Sequence, residues 1–378
     1  MITIAVTAES ADEPRVGLSP ETAKKFAQKG CRVLVESGAG LRSRFLDADY
    51  TAAGASIAGS AAEALAAADV LLKVRRPSAQ EIAGLKRNAF IAAMLEPFGE
   101  RAGLEAMAVA GVTSFAMELM PRISRAQSMD VLSSQSNLAG YKAVVDAAAA
   151  FQRALPMMMT AAGTVPAAQL FVMGVGVAGL QAIATGRRLG AIVSATDVRP
   201  AVKEQVASLG AKFIAVEDDE FKQAETTAGY AKPMSAEYQA KQAELTAKHI
   251  AIQDIVITTA LIPGRPAPRL ISRAMVESMK PGSVIVDMAA ERGGNCELAK
   301  FGETVEHHGV RIMGPANLAG EVAVNASSLY AKNLLNFLDP LIEKGADALK
   351  INWDDEIIKG TLVTRDGKIV HPALQPKG

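Results

Sequence analysis

Apolar residues in this chain come in short runs separated by polar, glycine- and proline-rich stretches, and the runs switch between strand-like and helix-like periods. Residues 2–6 (ITIAV) read as a strand. A helix should follow over 20–30, because Ser19 can cap it, Pro20 suits its first position and Gly30 its end. Strands are expected at 31–36, 70–74, 88–94 and 112–117, with helices at 61–69 and 103–111 between them. The alternation pauses at 137–155 (NLAGYKAVVDAAAAFQRAL), a long helix expected to link two halves, with Ser136 or Asn137 as its cap. It resumes as strand 168–174, helix 179–190, strand 191–197, helix 201–210 and strand 212–216. The runs at 254–261, 282–289 and 310–314 are apolar throughout, as strands buried on both faces should be.

Repeated strand–helix units predict an α/β fold: two Rossmann-like, doubly wound parallel-sheet domains with a cleft between them. Past residue 325 the pattern stops. An amphipathic helix is expected over 325–345, then a hairpin over 360–372 turning at Asp366-Gly367. A helix and a hairpin cannot bury themselves alone, so they should pack back on the first half. The first domain is then discontinuous, 1–136 plus 326–378, and the second is 137–325, with 137–155 as linking helix.

Composition narrows the functional classes. Lys plus Arg number 40 and Asp plus Glu 40, a formal charge of zero, and no basic block occurs, which argues against nucleic acid as a partner. Cys31 and Cys296 are far apart and outside any CxxC spacing, which fits a reducing compartment. The four histidines, His249, His307, His308 and His371, show no metal-ligand spacing, so no metal is expected, and His307 and His308 before Gly309 read as solvated turn residues. The N-terminal MITIAVTAES lacks the features of a signal peptide. Residues 154–186 carry no charge, but their prolines, glycines and polar residues read as buried strand, turn and packed helix within a core, not as a membrane span.

One motif carries chemistry. Gly174-x-Gly176-x-x-Gly179 follows a strand and opens a helix, and Asp197 ends the next strand about 20 residues on. Gly174 permits the tight turn, Gly176 lets backbone approach a pyrophosphate, and Gly179 allows close helix–strand packing, while the helix N-terminus offers free N–H groups to phosphate. Asp197 can accept from both ribose hydroxyls of NAD. A 2′-phosphate would bring like charges together at a cost of about 4 kcal/mol at 4 Å. Arg199 can pair with such a phosphate, screen Asp197 or face the adenine, and NAD is the expected cofactor.

The second feature is RISRAQSMDVLSSQSNLAGY (122–141), a concentration of short hydrogen-bonding groups in an otherwise aliphatic chain. Gln127, Ser128 and Asp130 suit a nicotinamide carboxamide and ribose, and Arg122 with Asp130 can form a neutral pair. A helix entry explains some of these groups but not those from Arg122 to Asp130.

Through AMELMPRISRAQSMDVLSSQSNLAGY, MMMTAAGTVPAAQLFVMGVGVAGLQAIATGRRLGA, ATDVR, TALIPGRPAP and MKPGSVIVDMAAERGGNCE, the chain resembles the NAD(H)-binding domain I of proton-translocating NAD(P) transhydrogenases, essentially end to end. The resemblance implies hydride transfer from NADH to NADP+ held on a separate domain III, coupled to proton translocation by a membrane domain. It implies a detached subunit, a homodimer, and a cytoplasmic location at the inner membrane through partner subunits. It places Arg122, Ile123, Ser124, Gln127, Ser128, Met129 and Asp130 at the nicotinamide end, with Ser133 near it. Arg122, Gln127, Asp130 and Ser133 are the set implied in catalysis. Gly174, Val175, Gly176, Val177 and Gly179 are implied at the pyrophosphate, and Asp197, Val198 and Arg199 at the adenosine ribose. Gly229 and Tyr230 are implied in a mobile loop over the nucleotide, and Gln242 and Leu261 as further contacts.

The rival is an alanine dehydrogenase, which the chain resembles more distantly through Glu13, Arg15, Val16, Leu18 and Pro20. That family binds its keto acid with a lysine, here Lys73, and a histidine on the following strand. NAFIAAMLEPFG has no histidine, and losing a general acid costs carbonyl reduction roughly 10²–10⁴-fold. Hydride transfer between two nicotinamides needs no proton transfer. The third possibility, a non-catalytic NAD-sensing module, shares the absence of an acid, base or nucleophile.

Overall fold

The computed structural model describes residues 1–99, 101–222, 234–262 and 265–375. The chain forms two compact units, Met1–Gln135 with Ala319–Gly378, and Ser136–Leu318.

In chain order the first unit supplies β1 (Thr3–Val6), β2 (Arg32–Glu36), β3 (Ser56–Ala58), β4 (Val70–Leu72), β5 (Phe90–Ala93) and β6 (Thr113–Ala116). The second supplies β7 (Met158–Thr160), β8 (Gly163–Val165), β9 (Gln169–Met173), β10 (Ile192–Thr196), β11 (Lys212–Phe213), β12 (Ile255–Thr258), β13 (Val284–Asp287), β14 (Thr304–His307) and β15 (Val310–Met313). The chain then returns to the first unit as β16 (Leu362–Arg365) and β17 (Lys368–Ile369).

The two large sheets share one plan. The first runs β17-β16-β6-β5-β4-β1-β2-β3 and the second β11-β10-β9-β12-β13-β15-β14. In the first, β1–β3 step one way across the sheet and β4–β6 the other; in the second, β9–β11 step one way and β12, β13 and β15 the other, all parallel. Antiparallel strands close one edge of each sheet. The strand order reverses between β1 and β4, and between β9 and β12, the place where doubly wound sheets open a crevice for ligands.

Apolar alternation explains the layering. Leu170, Val172, Ile255, Ile257, Val284 and Val286 enter the core on one face of the second sheet, while Phe171, Met173, Val256 and Ile285 enter that on the other. In the first sheet Ile4, Val6, Val70 and Leu72 point into one core, Leu71 into a second and Ala5 into a third. Each fully buried side chain of this size contributes roughly 1.5–3 kcal/mol, so a one-residue register slip would be prohibitive.

Several expectations need correction. The linking helix is Val131–Ala150, not 137–155. Its cap is Asp130, whose Oδ1 accepts from the Ser133 backbone N–H at 3.0 Å, so Ser136 and Asn137 lie inside the helix. The helix ends before Gln152, which adopts a left-handed φ of 57°. Residues 319–325 sit with the first unit, so the expected boundary at 325 moves to 318. Leu318 is the last residue of the second core, whereas Gly320 to Asn325 line a recess with Pro14, Arg42 and Arg44. The C-terminal helix stops at Leu338, just before Asp339-Pro340, instead of reaching 345. Only the later part of 154–186 is core: residues 156–166 are exposed, and β7 and β8 form a two-stranded sheet of their own. No helix among the described residues is long and apolar enough to cross a membrane.

Candidate functional site

β9 delivers the chain to Gly174, whose φ of +97° favours glycine. A Cβ there would lie 2.8 Å from Thr259 Oγ1, so the loop is wedged against the segment leaving β12. Thr259 Oγ1 donates to the Gly174 carbonyl at 3.0 Å. Buried Asn295 locks that segment by accepting from Ala260 N–H at 3.0 Å and donating to the carbonyls of Ala260 and Pro268. Thr259 and Asn295 lie in TALIPGRPAP and ERGGNCE, stretches that carry the resemblance, but no local pattern gives either residue a role. Nothing local tells that Asn295 braces a loop 120 residues earlier.

Gly176 caps the helix Val177–Arg188 without a side-chain hydrogen bond, and among the described residues a Cβ on it would meet nothing within 4 Å. Among those residues the helix opens toward free space with no side-chain cap on its first turn, as a phosphate cradle requires. Gly179 is needed for a different reason: a Cβ would come to 1.9 Å from the Gly174 carbonyl oxygen. Gly140 of the linking helix packs equally tightly: a Cβ on it would come to 2.1 Å from the Ala178 carbonyl oxygen. Val175 is buried beneath the loop, and Val177 is exposed beside it.

Asp197 stands just past the end of β10. Its Oδ2 accepts from Val175 N–H at 2.7 Å. Arg199 grips it with both Nε and Nη2, each at 2.9 Å, and adds its own backbone N–H. Arg199 Nη2 also reaches the Val175 carbonyl at 3.1 Å. Of the roles open to Arg199, the structure has it pairing with Asp197. Val198 is exposed between them. Gln242 accepts from Val216 N–H at 2.9 Å and donates to Thr196 Oγ1 at 3.3 Å, bracing the same strand end. Leu261, past β12, is exposed. Gly229 and Tyr230 lie outside the described residues.

The polar stretch belongs mainly to the first unit and is a group of its own. Ser124–Met129 is a 3₁₀ segment, not an open loop. Much of its polarity is structural. Arg125 pairs with Asp355 at 2.7 and 2.9 Å. The Ser128 carbonyl accepts from Asn333 and Asn336, and Ser134 donates to Asn333 at 2.7 Å. Asp130 is engaged by the N–H and Oγ of Ser133. Arg122, Ser124, Gln127 and Ser128 remain exposed, with Ile123 and Met129 half-buried.

The crevice between β1 and β4 holds a buried charge network. Lys73 Nζ lies 2.8 Å from Glu81 Oε1 and 3.6 Å from Glu9 Oε2, and it donates to Thr7 and the Ala8 carbonyl. Arg15 pairs with Glu13 at 2.7 Å and donates to Gln135. Burial raises the Glu9 carboxyl above its ordinary range against the pull of Lys73. Burial works the same way on Glu13, but hydrogen bonds from Arg15 and the charges of Arg15 and Arg75 bring it down to about 2. Glu96, in a left-handed φ of 49°, closes on Arg75 at 3.2 Å.

Comparison with known proteins gives the family. Residues 5–139 match the family profile "Alanine dehydrogenase/PNT, N-terminal domain" and residues 143–372 match "Alanine dehydrogenase/PNT, C-terminal domain". The chain is 57% identical over 371 residues to an NAD(P) transhydrogenase alpha subunit of Rhodospirillum rubrum, covering 97% of each. A crystal structure of transhydrogenase from Sinorhizobium meliloti superposes with a TM-score of 0.89 at 60% identity, over 98% of this chain and 100% of that one. An L-alanine dehydrogenase superposes with a TM-score of 0.81 at 26% identity, over 99% and 98%. The chain belongs to the alanine dehydrogenase/PNT family and, within it, to the NAD(P) transhydrogenase alpha subunits.

Proposed function

We propose that this chain binds NAD(H) on its second unit and exchanges hydride directly with NADP(H) held on a separate partner domain, domain III, while a membrane domain couples the exchange to proton translocation. The observation that carries this reading is the uncapped helix start at Gly176, with open space where a Cβ would point, at the reversal of strand order. Backbone from Gly174 to Val177 would hold the pyrophosphate, Gly179 keeps the helix close, and Asp197, Val198 and Arg199 would hold the adenosine ribose. Gln242, Leu261, Gly229 and Tyr230 complete the cofactor contacts. Arg122, Ile123, Ser124, Gln127, Ser128, Met129, Asp130 and Ser133 would orient the nicotinamide ring. The bound dinucleotide supplies the hydride. The protein's work is positioning and exclusion of water, for which no general acid or base is required.

Two copies should associate. β7 and β8 form a charge-free hairpin, with Met157, Met158 and Met159 62%, 43% and 79% exposed. An isolated two-stranded hairpin is marginal in water and its edges invite pairing, which supports a homodimer. The subunit would sit at the cytoplasmic face of the inner membrane through its partners.

The alanine dehydrogenase reading is weaker. Lys73 is consumed by Glu81, Glu9 and Thr7, and the strand after it, Phe90–Ala93, runs out into Leu95-Glu96 with no histidine where a proton donor to a keto acid would be needed.

The test follows NADH with the purified chain, first by fluorescence for binding and then by absorbance with pyruvate and ammonium. NADH should bind without turnover until an NADP-bearing domain III is added. Rapid oxidation of NADH by the chain alone would overturn the proposal in favour of a self-sufficient dehydrogenase.

A further inference from the structure

At the antiparallel edge of the second sheet, β14 ends at His307 and β15 begins at Val310. The connection is therefore two residues, His308 and Gly309, with left-handed φ values of 50° and 73°. This is the hairpin turn in which Asn-Gly is usual, because both positions need positive φ. With histidine in the first position, the turn folds one imidazole beside the other: the rings of His307 and His308 are 4.8 Å apart and inclined by 36°. A third donor comes from the helix Arg273–Ser278, where Glu277 Oε1 lies 2.8 Å from His307 Nε2. One ligand atom from each of the three residues falls within 4.8 Å of the others.

We propose that Glu277, His307 and His308 bind one divalent cation of the zinc class. Two imidazole nitrogens and one carboxylate oxygen favour zinc, nickel or copper over magnesium or calcium, which prefer all-oxygen shells. At metal–ligand distances near 2.0–2.2 Å, neighbouring donors around a tetrahedral ion stand about 3.3 Å apart. The Glu277–His307 pair is already near that separation. The remaining donor closes the site by rotation of the His308 ring, which is exposed. The ion takes the place of the His307–Glu277 hydrogen bond, and water fills the fourth position. Its effect is to clip the free edge strand β14 and its turn to the helix Arg273–Ser278.

Adjacent histidines in a turn carry no ligand spacing in the sequence, and the carboxylate is thirty residues away. Only the fold brings Glu277 to them.

Equilibrium dialysis of the whole chain against zinc chloride tests the site, beside His307→Gln, His308→Asn and Glu277→Gln. Asparagine is the variant of choice at 308 because it accepts the left-handed turn. Wild type should take up one zinc per chain, and each histidine variant should bind about tenfold more weakly or worse. Zinc at ten times its dissociation constant should raise the thermal midpoint of wild type by about 2 °C, and magnesium should not. Equal zinc uptake by wild type and the His307→Gln and His308→Asn variants would overturn the proposal. So would no uptake by wild type, which would leave a plain hydrogen bond between His307 and Glu277.

Discussion

Asp197 accepts four hydrogen bonds, from Val175 N–H and from three groups of Arg199, so the lone pairs expected to receive ribose hydroxyls are already committed. The pair with Arg199 is also net neutral, which weakens the like-charge argument against a 2′-phosphate. Selection of NAD then turns on whether Arg199 stays on Asp197 when a ribose arrives. Glu118 is a second residue whose state matters. Its Oε1 accepts from the backbone N–H groups of Leu95 and Glu96 at 2.8 and 2.6 Å, and its buried Oε2 has no hydrogen-bond partner among the described residues. Burial pushes this carboxyl from 4.5 up to about 7. Between those values the folded chain holds a proton that the unfolded chain has released. Glu118 therefore contributes stability fully below pH 4.5, and that contribution is lost as pH rises through 7. The loss amounts to about 3 kcal/mol. Urea unfolding of wild type and Glu118→Gln across pH 5–8 should show the gap between them changing by that order, wild type losing ground as pH rises. Parallel profiles would mean that Glu118 does not titrate there.

Among elements, the glycine loop and the helix Val177–Arg188 act as one piece because Gly179 lets the helix touch the loop's own carbonyl. Gly179→Ala leaves a methyl with no room beside backbone. It should cost about 1–3 kcal/mol in thermal or denaturant unfolding. It should also weaken NADH binding about tenfold, since a loss of ~1.4 kcal/mol at the cradle is tenfold in affinity. NADH titration of the variant at a temperature where it remains folded separates the two effects. The linking helix teaches a different lesson. Ser136 and Asn137 are good capping residues by type, but Asp130 caps first and its partner Ser133 lies at the third helical position. The cap closest to an apolar run was the wrong one because the helix begins on polar residues used by the first unit: Gln135 meets Arg15 and the Ala326 carbonyl.

For the whole molecule, one strand order is used twice, and the two crevices are filled differently. In the second unit glycines keep the crevice open to backbone contact; in the first, Lys73 and Arg15 are neutralised by this chain's own carboxylates. The β7–β8 hairpin is the feature that neither unit buries. If it joins two copies, Met159→Glu should shift sedimentation equilibrium from dimer toward monomer while the thermal midpoint and NADH binding of the chain change little. An unchanged mass would remove the hairpin from the interface.

The alternation of apolar strands with capped helices determined the α/β class, and Gly174, Gly176, Gly179 and Asp197 stood out as a candidate nucleotide loop, because both signals are local: a period of two or near four, and a glycine spacing in which Gly174 and Gly179 leave no room for a Cβ and Gly176 faces open space among the described residues. The family resemblance rested on motifs that are likewise contiguous. What the sequence did not determine is long-range. That Arg199 occupies Asp197, that Asn295 braces Gly174, that Asn333 and Asp355 use up some of the 122–141 polarity, and that Glu277 meets His307 all depend on which strand lies beside which. The exposure of residues 156–166, expected as core, has the same cause. A charge-free segment is indistinguishable from core until the tertiary structure leaves it uncovered, since burial is a property of neighbours in space and not of composition.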